Sequence, residues 1–214
     1  MKYRYVIWDW NGTLLDDLDA SIRAVNDMLE MYGKPQLDLE TYYSYIDTPI
    51  YKFYERIFDF NVVSMEVIKP LFGELYIKHE SEIDLANGAR NAVDILCKNG
   101  VKQYILSAAN VDDLMKYARK FDVCGCFEKI DAANDHEAGS KTERAVRLIE
   151  NEKIDPTECV LIGDTLHDFE TAKTIGADCI LYSKGHTDEA TLKKTGCVVC
   201  GSFEEIIKNI NGIV

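Results

Sequence analysis

A single apolar strand pattern, Tyr5-Val6-Ile7-Trp8, opens the chain, and no second strand pattern follows until residue 101. A strand cannot stand alone, because its backbone N–H and C=O groups need partners. Residues 5–8 must therefore join a sheet that the later chain builds. Between them and that sheet the pattern is helical. Leu18, Ile22, Val25, Met28, Leu29 and Tyr32 recur at helical spacing over 17–31, with Gly33 placed to end the helix. Two shorter, aromatic-rich patterns cover 39–45 and 49–58. A longer one covers 64–82, with Ile68, Leu71, Phe72, Leu75 and Tyr76 on one face and a kink or break expected at Pro70. After Leu85-Ala86-Asn87-Gly88 helix and strand alternate. Helices are expected over 89–98, 111–121, 141–151, 168–175 and 203–210. Strands are expected over 101–106, 127–132, 158–162 and 178–181, with 197–200 as a possible edge strand. Such alternation implies an α/β fold, a doubly wound parallel sheet with helices on both faces. The expected organisation is an α/β core of residues 1–15 and 84–214, with 16–83 inserted as an all-helical unit.

In such sheets ligands sit at the C-terminal strand ends, and four loops there carry chemistry. The first strand runs into Asp9, whose carboxylate is costly to bury unless something pairs with it. Asn11-Gly12 supplies a turn, and Thr13 adds a hydroxyl. The strand over 101–106 ends in Ser107-Ala108-Ala109-Asn110. A loop over 133–140 leads to Lys141. The strand over 158–162 ends in Gly163-Asp164-Thr165-Leu166-His167-Asp168. Asp164 and Asp168 read as oxygen ligands for a hard divalent cation such as magnesium. With Asp9 they would repel strongly if no cation sat among them. Lys141 opposes the dipole of the helix it begins, so its natural use is to neutralise a phosphate beside Ser107. Taken singly, Ser107, Asp164 and Asp168 could be helix caps and Lys141 a solvated surface residue. Their coincidence at four successive strand ends favours a site.

The formal net charge of −13 argues against nucleic acid or an anionic membrane surface as partner. No apolar run approaches the roughly 20 residues of a membrane-spanning helix. No charged-then-apolar leader precedes the first strand, so a cytoplasmic location is expected. Seven cysteines include Cys197-Val-Val-Cys200, but no second pair completes a zinc set. Packing, not metal or redox chemistry, is their expected use.

Asp9-Trp10-Asn11-Gly12-Thr13-Leu14, then Ile105-Leu106-Ser107, then Lys141, then the segment from Gly163 to Asp168, together resemble the four ordered motifs of the haloacid dehalogenase-like hydrolases. The helical insertion matches the position of their alpha-helical cap. Gly88 with its following helix, and Ala172 to Gly176, are similar to the phosphoglycolate phosphatase-like subgroup. The resemblance implies a magnesium-dependent phosphatase acting on a small phosphorylated metabolite. Asp9 would be the nucleophile, forming an aspartyl-phosphate. Magnesium would be held by Asp9, the backbone carbonyl of Asn11, Asp164 and Asp168. Ser107, Ala108 and Lys141 would bind the phosphoryl group. Cap specificity would fall to Tyr51, Lys52 and Arg56, although these could equally belong to a solvated cap helix. Asp16-Asp17 and Ile83-Asp84 would be the cap hinges. Asn11 departs from the family, whose phosphatases usually carry there a second Asp that moves the leaving-group proton. An amide cannot do this. Three outcomes follow: a phosphatase that is slow or favours good leaving groups, a substitute proton donor such as His167 or a cap residue, or a phosphorylated-ligand binder with little turnover.

Overall fold

The structure, a computed structural model, describes residues 1–133 and 140–212; the loop expected over 133–140 therefore lies outside the described residues from 134 to 139. Strand β1 (Tyr5–Trp8) and the short β2 (Leu15–Asp16) are followed by helices α1 (Leu18–Met31), α2 (Leu39–Tyr45), α3 (Tyr51–Glu55) and α4 (Met65–Lys78), with a 3-10 turn at Glu80–Glu82. The chain continues through β3 (Asp84–Leu85), α5 (Ala89–Lys98), β4 (Lys102–Asn110), α6 (Val111–Lys120), β5 (Lys129–Ala133), α7 (Lys141–Glu152), β6 (Cys159–Gly163), α8 (Leu166–Ile175), β7 (Asp178–Tyr182), α9 (Glu189–Lys193), β8 (Val198–Cys200) and α10 (Phe203–Asn211). These elements form two compact units, residues 1–16 with 84–214, and residues 17–83.

In the larger unit six parallel strands lie in the order β5-β4-β1-β6-β7-β8. The lone opening strand is central. Its register sets Trp8 opposite Ile105 of β4 on one side and Ile162 of β6 on the other. Both faces are buried, which is why the strands read as continuous apolar runs and not as alternating ones. Successive side chains point to opposite faces. Ile7, Tyr104, Leu106 and Leu161 pack with Ala145 and Leu148 of α7 and Ala172 and Ile175 of α8. On the other face Trp8 stacks on Phe203 of α10 at 5.9 Å, and Tyr182 meets the same ring at 5.1 Å. The buried indole Nε1–H of Trp8 donates to Gln103 Oε1 at 3.0 Å, and the Gln103 amide donates to the Val93 carbonyl at 2.9 Å.

The smaller unit has its own core. Ala24, Val25, Met28 and Leu29 of α1 meet Ile68 and Leu75 of α4, with Tyr42, Phe53, Tyr54 and Phe58 filling the remainder. Tyr42–Phe53 and Phe53–Tyr54 ring centroids lie 5.4 and 5.1 Å apart, both edge-on.

Five local readings change. Helix α4 runs unbroken through Pro70, which is exposed on the solvent face together with Glu66 four residues earlier, so the bond that proline cannot make frees a carbonyl toward water. The helical pattern over 49–58 contracts to α3, and that over 64–82 ends at Lys78 before a 3-10 turn. Residues on either side of the insertion, Leu15–Asp16 and Asp84–Leu85, pair as an antiparallel ribbon. Helix α9, begun by the Asp188 side chain accepting from Thr191 N, lies where no helical pattern was expected. No described helix is long and apolar enough to cross a membrane.

Replacing Gln103 by Met should leave the Trp8 indole N–H buried without its acceptor and lower stability by about 1–3 kcal/mol, read as a shifted urea midpoint.

Candidate active site

The parallel register carries the chemistry-bearing residues to one edge. Asp9 immediately follows the last paired residue of β1, and its backbone N–H donates to the Ile162 carbonyl of β6 at 2.8 Å. Ser107 lies two residues beyond the last β1-paired residue of β4, and Asp164 directly follows β6. Asp168 is in the first turn of α8, and Lys141 is the first residue of α7. Among the described residues, the one group of three metal-ligating side chains close enough to share an ion is Asp9, Asp164 and Asp168. Their oxygens lie within 4.8 Å of one another, and all three residues are buried.

One cation stands inside this group. The Lys141 ammonium donates to Asp9 Oδ1 and, at 2.6 Å, to Asp168 Oδ1. Burial opposes its charge, but Asp168 and Asp9 outweigh that and hold it protonated beyond the ordinary lysine range. Burial pushes the Asp9 carboxyl well above its usual value, with Lys141 pulling down and Asp168 and Asp164 pushing further up. Burial likewise raises Asp164. At Asp168 burial is outweighed by Lys141 and by hydrogen bonds from Thr165, and the carboxyl stays below its ordinary value. Three carboxylates thus share one lysine, and two of them are held against their preference for ionisation.

The carboxylates are fixed by their surroundings. Asp164 Oδ1 accepts from Thr13 Oγ1 at 3.0 Å, and Oδ2 from the His186 backbone N–H at 2.6 Å. Asp168 Oδ2 accepts from Thr165 Oγ1 at 2.6 Å and Thr165 N at 3.0 Å, so Asp168 caps α8 while facing Lys141. Three glycines make the room. A Cβ on Gly12 or Gly185 would overlap the Asp164 carboxylate, and one on Gly163 would overlap Asp168. Gly12 also adopts a φ of +70°, which L side chains disfavour. This cradle of hard oxygen donors, with space kept free of Cβ atoms, fits a divalent cation of magnesium's type.

Ser107 is buried, and its hydroxyl accepts from the Ala109 N–H at 3.0 Å. Its carbonyl accepts from Arg144 Nη2, while Arg144 Nη1 donates to Asp131 Oδ1 at 3.1 Å. Asn11 sits in the turn after Asp9 and forms an isolated bridge with Leu15. His167, half-buried in α8, is pushed toward its neutral form first by burial and then by Lys141. Tyr51, Lys52 and Arg56 are in the smaller unit. Lys52 and Arg56 both face Asp47, at 3.7 and 3.6 Å, and Arg56 also donates to the Ser44 carbonyl at 2.5 Å. Tyr51 is exposed beside an open groove of about 400 Å³ lined by Ile50, Phe60, Met65 and Lys69. All seven cysteines are free, with Cys159 and Cys200 buried.

Arg144, Gly185 and His186 are the residues at this edge that the sequence did not single out. Arg144 follows Lys141 by three residues and so shares its helical face. Gly185-His186 follows β7, one more strand ending at the same edge. Those two placements are the signals that could have found them.

The haloacid dehalogenase-like hydrolase family model matches residues 6–182. A 5'-nucleotidase of Pseudomonas aeruginosa is 22% identical over 195 residues, covering 90% of this chain and 88% of that protein. A phosphoglycolate phosphatase of Nitrosospira multiformis is 24% identical over 206 residues, covering 92% and 90%. The solved structure of a haloacid dehalogenase-like family hydrolase from Streptococcus pneumoniae superimposes with a TM-score of 0.85 at 18% identity, covering 97% of this chain and 98% of that one. With the family model spanning most of its length and the α/β architecture shared, the chain belongs to the haloacid dehalogenase-like hydrolases.

Proposed function

We propose that the chain is a magnesium-dependent phosphatase that hydrolyses a small phosphomonoester through an aspartyl-phosphate on Asp9. The observation that carries this is the buried trio Asp9, Asp164 and Asp168 with Lys141 bonded to two of its members. The names of the relatives, a 5'-nucleotidase and a phosphoglycolate phosphatase, support the class of reaction. Asp9, the Asn11 carbonyl, Asp164 and Asp168 would hold magnesium. When bound, the ion supplies positive charge that lets a phosphate dianion approach the Asp9 carboxylate.

Asp9 then attacks phosphorus in line. A bond forms from its carboxylate oxygen to phosphorus as the bond from phosphorus to the leaving oxygen breaks, and that oxygen departs with the electron pair. Ser107, the Ala108 N–H and Lys141 hold the phosphoryl oxygens, and Lys141 offsets charge beside Asp9. Water next attacks the same phosphorus, releases phosphate and restores Asp9. Each half needs a proton moved, and the Asn11 amide can neither give nor take one. Substrates with acidic leaving groups are therefore favoured. Residues 17–83 would serve as the cap, with Tyr51, Lys52 and Arg56 reading the rest of the substrate. An anionic substrate group would compete with Asp47 for both cations. Asn11 also favours one alternative, a protein that binds a phosphorylated ligand and turns it over little.

Hydrolysis of p-nitrophenyl phosphate separates these. The phosphatase requires magnesium and falls to background in Asp9→Asn. Asn11→Asp then gains roughly 10²- to 10⁴-fold on alkyl phosphates, where proton transfer limits the rate. An inert wild type together with an active Asn11→Asp variant would identify the binder. Metal linkage gives an independent reading. At about a hundred times its dissociation constant, magnesium should raise unfolding free energy by about 2.7 kcal/mol over the chelated protein. Asp164→Asn should remove most of that increment in a urea titration.

A further inference from the structure

We propose that Arg144 is a positioning residue, setting Ser107 and its following N–H groups at the distance from Asp9 that a phosphoryl group requires. This rests on the phosphoryl-binding role of Ser107 proposed above and adds the device that holds it. At Ser107 the strand loses its regular support. Pairing of β4 with β1 ends at Ile105, and pairing with β5 jumps from Leu106 to Asn110. Residues 107–109 lie between those paired positions, outside the regular ladder, so their backbone needs other partners.

Arg144 supplies that grip. Its guanidinium is buried, as is the residue whose carbonyl it binds. One nitrogen donates to the Ser107 carbonyl and another to Asp131 on the adjacent strand β5. The rigid fork therefore spans the irregularity and ties the two strands together just where their register slips. Lys141 lies one helical turn earlier on the same face of α7 and holds Asp9 and Asp168. The start of α7 is itself pinned by a reciprocal capping box, Ser140 Oγ accepting from Glu143 N at 3.2 Å and Glu143 Oε2 from Ser140 N at 2.8 Å. One helix turn thus fixes both the nucleophile, through Lys141, and the phosphoryl-binding segment of β4, through Arg144. A buried arginine used only for packing has no need to bridge a carbonyl at the site to a carboxylate on the next strand.

The test measures the dissociation constant of inorganic phosphate by calorimetry in magnesium, which does not depend on turnover, along with kcat and KM for p-nitrophenyl phosphate where turnover is seen. Variants are Ser107→Ala, Arg144→Lys, Arg144→Met and the double variant Ser107→Ala/Arg144→Lys. Arg144→Lys keeps a charge beside Asp131 and guards against a fold that Arg144→Met does not support; melting curves monitor both. Arg144→Lys should weaken phosphate roughly 10- to 100-fold with little change in melting temperature, since a lysine cannot span both partners. Ser107→Ala should weaken phosphate as well, and the double variant should lose less than the product of the single losses. Unchanged phosphate affinity in a folded Arg144→Lys, or losses that multiply, would overturn the inference while leaving Ser107 in its role. Unchanged affinity in Ser107→Ala would overturn the role of Ser107, and the inference with it.

Discussion

The structure depends on one electrostatic imbalance. Three carboxylates and one ammonium are buried together at the C-terminal end of the central strand. Removing each ion from water costs several kcal/mol, which close pairing offsets only in part. Lys141 can satisfy two of the carboxylates and does so with Asp9 and Asp168. Asp164 is left to a threonine hydroxyl and a backbone N–H, which stabilise a charge less well than an ammonium. Asp9 and Asp164 are the two carboxyls whose ionisation burial opposes most effectively. A bound divalent cation would relieve both at once, and in this fold the topology, not the local chain, creates the demand for it.

That topology explains why so many turns are shaped around the same few atoms. Parallel strands β4, β1, β6 and β7 all end at one edge, so each following loop competes for space near Asp164 and Asp168. Glycine appears where the competition is tightest. Gly12 and Gly185 lie in two separate loops and Gly163 ends β6, and each would drive a Cβ into one of those two carboxylates. The polar partners come from the same loops, Thr13 after β1, Thr165 after β6 and His186 after β7. Close approach and satisfied hydrogen bonds are two results of the same crowding.

How far the sequence could be read follows from how far each interaction leaves a local trace. The motif-bearing ends of β1, β4 and β6 were legible because in each an apolar run gives way within two residues to a polar side chain. Asp9, Ser107, Asp164 and Asp168 all lie where that reading set them, along one edge of a six-stranded parallel sheet. The β2–β3 ribbon was not legible, since two-residue strands contain no alternation to detect. Pro70 was misleading because its penalty depends on whether the freed carbonyl meets water, a fact of the surface and not of the chain. Arg144 left only its spacing of three residues from Lys141 as a trace, because an arginine in an amphipathic helix ordinarily reads as solvated. Only the packing of α7 against the sheet shows it buried, next to the slipped register of β4.

Asn11 bears on what such a site can select. Aspartate and asparagine have nearly the same shape, so the exchange is compatible with the same turn. What changes is confined to the proton. A leaving oxygen of low pKa departs as an anion and needs no donor, whereas an alkoxide of high pKa does. With the acid removed, the barrier for the two classes separates, while binding of their common phosphoryl group does not. Discrimination of that kind acts on rate and not on affinity. On the proposed reading it would be set by the turn after Asp9, whatever contacts the residues of 17–83 add, so a single amide would act on the substrate class before any of those contacts.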